Sequence, residues 1–71
     1  MNRIRPRKLL LSKWTAAKPI NREKHFLVTE LLSDEEGVIQ EVELQAVLTQ
    51  RNERLSWQVL QDNGIWLMGW Q

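Results

Sequence analysis

The sequence predicts a mainly β fold: a small antiparallel meander sheet of three to four strands, with a short helical turn or hairpin near the C-terminus. Apolar residues alternate with a period of two more cleanly than they gather on one helical face. The runs that alternate are short and joined by short polar connections, so sequential strands should pair as neighbours. The chain has 71 residues, 42% hydrophobic and 27% charged, which allows one globular domain with a small core. A half-open barrel of the same strands is the alternative architecture.

Residues 1–8, Met-Asn-Arg-Ile-Arg-Pro-Arg-Lys, offer too little apolar surface to offset ordering and read as a flexible basic arm. Residues 9–71 form the domain. Leu9 to Ala16 reads as a first strand, with Leu10, Ser12, Trp14 and Ala16 facing one way. Lys18 to Glu23 is a polar connection in which Pro19 cannot donate to a ladder. His25 to Leu32 is rich in β-branched, aromatic and other apolar types. Being apolar on both faces, it belongs in the middle of the sheet. Ser33 to Gly37 supplies a turn, with Gly37 free to take a positive φ.

Val38 to Gln50 is the harder segment, because Ser33 and Glu36 also fit a helical capping box. On a helix its apolar residues would surround the axis. On a strand Val38, Val42, Leu44, Ala46 and Leu48 share a face, so a strand is expected. Arg51 to Glu53 reads as a polar turn. Beyond it, Leu55, Trp57 and Val59 alternate as a strand, while Ser56 equally well caps a helical turn from Trp57 to Asp62. Asn63-Gly64 suits a hairpin or a helix stop. Ile65 to Gln71 closes the chain with Trp66, Met68 and Trp70 on one alternating face.

A formal net charge of +1 conceals a strong asymmetry. Residues 1–24 hold eight basic side chains against the single acid Glu23, a balance of +7. Residues 25–71 hold Arg51 and Arg54 against eight acids, a balance of −6. Such a division points to an acidic partner, or to a basic third packed on the acidic remainder.

Several functions lose their basis. There is no cysteine, hence no disulfide and no thiolate metal site. The single histidine, His25, cannot furnish a metal site alone, and the three serines have no recognisable base and orienting partner. Asp34, Glu35 and Glu36 are consecutive in a turn and diverge, and three scattered glycines make no phosphate loop. The expectation is a non-enzymatic domain without cofactor or metal. No apolar run approaches the roughly 18 residues that cross a bilayer, so the protein is expected in the cytoplasm, with no membrane partner.

Four tryptophans accompany one phenylalanine and no tyrosine. Trp57 and Trp66 are expected in the core. Trp14 lies among basic residues, the pattern that holds single strands by stacking and phosphate neutralisation. Arg3, Arg5, Arg7, Lys8, Lys13 and Trp14 are therefore the candidate nucleic-acid site, with RNA or another single strand as partner. Trp66, Met68 and Trp70 are the candidate site for a protein partner or self-association, through a tryptophan-rich face or a sheet edge.

Lys13-Trp14-Thr15-Ala16, Pro19, Lys24 to Glu30, Ala46 to Thr49, Trp66 and Gly69-Trp70 together resemble a family of small tryptophan-rich conserved hypothetical proteins of bacteria. The resemblance covers residues 8–71. It implies a standalone bacterial cytoplasmic domain and carries no activity, cofactor or site residue with it.

Overall fold

Strand β1 spans Lys13–Ile20, β2 Glu23–Ser33, β3 Ile39–Ala46, β4 Asn52–Ser56 and β5 Trp66–Met68, in a computed structural model that describes residues 1–71. The strands form one sheet in the order β4-β3-β2-β1-β5, every neighbouring pair antiparallel. The expected meander holds for the first four strands, and β2 takes the central place its two apolar faces predicted. The count is five, not three to four. Trp66–Met68 returns to pair with Trp14–Ala16 on β1, where a hairpin with β4 had been the alternative. Because β4 and β5 share no ladder, the sheet stays open.

The boundaries moved for local reasons. Leu9 to Ser12 is a tight turn and not the start of a strand: Ser12 N–H bonds the Leu9 carbonyl at 2.9 Å and Leu11 is left-handed, φ 64°. The Lys18–Glu23 connection shrinks to Asn21-Arg22, both left-handed (φ 56° and 63°), the geometry that matches strand twist in a two-residue hairpin. Pro19 is tolerated inside β1 because it lies beyond the stretch paired with β5. The turn expected at Arg51–Glu53 falls at Val47–Gln50, closed by Gln50 N–H on the Ala46 carbonyl at 2.8 Å. Asn52 and Glu53 then belong to β4. Ser33 and Glu36 make a turn and no helix. The Asp34 carboxylate accepts the N–H groups of Glu36 and Val38, each at 2.9 Å, and Gly37 sits at φ 82°. Asp34 is held below the usual carboxylate range, first by the Val38 N–H.

After β4 the helical option prevails. A 3-10 helix spans Trp57–Gln61, and the Ser56 hydroxyl accepts the Gln58 N–H at 3.3 Å. This helix carries the fully buried Leu60 back under the sheet. Asn63-Gly64 adopts no left-handed conformation, so the mirror-image turn lies at Asn21-Arg22 instead.

One face of the sheet is packed and the other is open. The inner face carries Trp14, Phe26, Val28, Val42, Leu44, Ala46 and Trp66, covered by Leu9 and Leu60, with Ile4 and Trp57 packed alongside. Trp66 meets Phe26 edge to face at 5.0 Å between ring centroids. A bulge at Thr29 shifts the β2–β3 register between Val28 and Glu30. The extra residue lets Val28 and Leu31 both turn inward, three positions apart on a strand. Lys13, His25, Leu27, Gln45, Glu30, Glu43 and Arg54 alternate onto the outer face.

A candidate nucleic-acid interface on the N-terminal arm

The arm is tied to the domain instead of hanging free. Asn2 donates its side-chain Nδ2 to the carbonyls of Leu60 and Trp66, both at 2.8 Å, and its backbone N–H to Gln61 at 2.8 Å. Ile4 packs against the core, Pro6–Lys8 forms a 3-10 turn, and Leu9 is buried. The composition of residues 1–8 hid this, because two contacts, Asn2 and Ile4, do the anchoring.

Arg3, Arg5, Arg7 and Lys8 project from the tethered arm into solvent. The arm forms a ridge between two hollows. The larger, about 820 Å³, is lined by Arg5, Arg7, Lys8, Glu36, Gln40 and the half-buried Trp57, among others. The smaller, about 290 Å³, is lined by Arg3, Arg5, Lys8, Leu9, Trp14 and Met68, among others. Arg5 and Lys8 border both.

The remaining expected residues divide. Trp14 is 1% exposed, and its indole N–H donates to Ser12 Oγ at 2.8 Å. It is a core side chain and has no free face for a base. Lys13 alternates onto the outer face, where its Nζ sits 4.7 Å from the centroid of the Trp70 ring. It therefore does not continue the arm's cationic track. Trp57, expected in the core, packs against it on one side and stays half-buried, which leaves part of its ring at the surface. Its place after the Ser56 cap, at the rim of a helix too short to cover it, was the available clue.

Trp66, Met68 and Trp70 do not form one face. Trp66 is core at 6% exposure, Met68 borders the smaller hollow, and Gly69 at φ 77° turns the chain across to the outer face. There Trp70 stacks on His25 (5.8 Å between centroids) and donates its indole N–H to the Phe26 carbonyl at 2.9 Å. The buried Thr15 hydroxyl donates to the Gly69 carbonyl at 2.7 Å and accepts the Gln71 N–H at 3.0 Å. The C-terminus is thus a strap over β1 and β2.

Charges sort the same way. All eight basic side chains of residues 1–24 are exposed, and none makes an ion pair. The three ion pairs use Arg51 and Arg54 only, with Glu23, Glu53 and Glu43. The basic side chains of residues 1–24 thus form no ion pair with the acids of the remainder. Glu23 is the one buried charge. It accepts from Arg51 Nε and Nη2, the latter at 2.8 Å, and from the Thr49 hydroxyl. The Arg51 guanidinium, then Thr49, holds its carboxyl below the usual range, and the same contact raises Arg51. This cluster pins the β1–β2 hairpin to the β3–β4 turn. No three His, Cys, Asp or Glu side chains converge as metal ligands would. No helix is long and apolar enough to cross a membrane.

Fold and surface together define a small open-sheet domain whose tryptophans are chiefly structural and whose free cations are displayed on a tethered arm. The chain belongs to the tryptophan-rich protein family DUF2389, whose family model matches residues 12–71. The arm precedes the matched span. No curated protein and no solved structure matches the chain.

Proposed function

We propose that this domain is a non-enzymatic, sequence-nonspecific binder of single-stranded nucleic acid, RNA in particular, acting in the cytoplasm. One observation carries the reading: the four arm cations sit on a segment held by Asn2 and Ile4, have no carboxylate partners, and three of them, Arg5, Arg7 and Lys8, line a hollow with the aromatic side chain of Trp57. Phosphates follow the ridge of Arg3, Arg5, Arg7 and Lys8. A base descends beside Trp57, the part first expected of Trp14. Backbone contacts of this kind position a strand without reading its sequence. Of the residues expected for a protein-interaction module, Trp66 is buried, while Met68 and Trp70 remain about half exposed on different faces.

The test is a titration of tryptophan emission with a mixed-sequence RNA oligonucleotide at low and moderate salt. Quenching that weakens with salt and is largely removed in Trp57→Phe supports the proposal. Unchanged emission and anisotropy at tens of micromolar protein, roughly the affinity range of non-specific binding, would remove it.

A further inference from the structure

The two free edges of the sheet are treated differently by the chain. On β5, alternation fixed by the Ala17 N–H to Ile65 and Gly69 N–H to Lys13 bonds turns the main-chain groups of Trp66 and Met68 outward. Three of those four groups are occupied. Trp66 N–H bonds the Asp62 carbonyl at 2.9 Å, the Trp66 carbonyl accepts from Asn2 Nδ2 at 2.8 Å, and the Met68 carbonyl accepts from Gln71 Nε2 at 3.0 Å. Both ends of the chain thereby mask this edge. On β4, the Ala46 N–H to Arg51 bond sets the alternation, so the main-chain groups of Asn52, Arg54 and Ser56 face away from β3. No turn, loop or cap bond occupies the groups of Asn52 and Arg54 or the Ser56 N–H, while the Ser56 carbonyl opens the Trp57–Gln61 helix as its N-cap. An exposed row of this kind is a template for another strand.

Arg54 is the residue at the centre of that edge. Arg51 spends its guanidinium on Glu23 and Glu53, whereas Arg54 makes no hydrogen bond and only approaches Glu43, Nε at 4.0 Å. Its side chain is 61% exposed. A second copy pairing antiparallel about the middle of β4 would set Arg54 directly against Arg54, and like charges in that position destabilise a sheet. A strand with a carboxylate there meets a guanidinium engaged only by the long 4.0 Å ion pair of its Nε with Glu43 and without a hydrogen bond, which can bind it bidentately. On the inner side of the same edge, Leu55 is half-buried and prefers an apolar neighbour.

We infer that β4 is an acceptor edge for an extended segment of a partner protein, adding as a sixth, antiparallel strand with an acidic residue opposite Arg54. Main-chain bonds supply the pairing, and the carboxylate supplies the selection. This interface lies apart from the arm and does not depend on it.

The experiment follows backbone amide resonances of the full chain during titration with a blocked peptide, Val-Thr-Val-Glu-Val-Thr-Val, and with its counterpart carrying Lys at the centre. Shifts centred on Asn52, Arg54 and Ser56, with binding about tenfold tighter for the Glu peptide, support the inference. Arg54→Glu should reverse that preference. Asn52→Pro removes an outward N–H without breaking the β3–β4 ladder, and should abolish the shifts while the remaining spectrum stays folded. Absence of edge shifts with both peptides, equal affinity for the two, or a β4-to-β4 dimer of the free protein in sedimentation would each overturn it.

Discussion

Arg51 and the arginines of the arm are the same side chain put to opposite uses. Arg51 lies in the acidic part of the sequence and is engaged by Glu23 and Glu53, holding a hairpin against a turn. Arg3, Arg5 and Arg7 lie in the basic part, reach no carboxylate, and rest on a segment anchored by its neighbours. Desolvation makes the difference matter. A buried carboxylate such as Glu23 must be paired, so its cation is structural. An exposed cation is worth little to folding and is free for a partner. Cations in this molecule therefore divide into those that build the fold and those the fold displays.

Substitutions can break or sharpen that division. The largest effect is expected outside it, at the core that supports both regions. Trp14→Ala should cost about 3–5 kcal/mol in chemical denaturation, a loss a domain of this size scarcely survives. Next comes Glu23→Gln, which leaves Arg51 only its Glu53 pair and removes the charge that Thr49 and Arg51 meet at Glu23, and should lower the denaturation midpoint clearly. Because the folded-state carboxyl is depressed, its contribution is fully present above the ordinary value of 4.5 and is lost as pH falls through the folded value. The Gln variant should accordingly show a flatter loss of stability on acidification below about pH 4.5. Asp34, also held low, leaves it a residual slope. Ser56→Ala removes the cap of the helix that carries Leu60 and should cost about 1 kcal/mol. The smallest effect on stability belongs to the arm. Replacing Arg3, Arg5, Arg7 and Lys8 together with Gln should shift stability by no more than about 0.5 kcal/mol, whereas Arg51→Gln alone should exceed that in the same assay.

Much of this was legible in the residues. Alternation at Val42, Leu44 and Ala46 gave a strand, and their inward burial agrees with it. The apolar character of both faces of β2 placed it centrally. What alternation could not show was the bulge at Thr29, which breaks the period inside one strand. Nor could it show Leu11 in a left-handed turn, a conformation leucine seldom takes and composition does not announce. Trp14 was misread because basic neighbours in sequence, Lys13 and Lys18, alternate away from it or lie beyond it along the strand. Asn2 was missed altogether. Its role depends on two carbonyls some sixty residues away, Leu60 and Trp66, and no local pattern encodes such a contact. The charge division was visible from counting. That the basic third stays unpaired was not.

The central claim, that the arm's cations are displayed for a polyanion, is tested most directly by the salt dependence of binding. A labelled single-stranded RNA oligonucleotide is titrated by anisotropy over a series of salt concentrations, with the wild-type chain and with the variant in which Arg3, Arg5, Arg7 and Lys8 are Gln. Four phosphate contacts on a single strand should give log K against log salt a slope of about −3, and the variant should bind weakly with a slope near zero. Equal slopes in the two proteins, or no binding by the wild type at low salt, would contradict it.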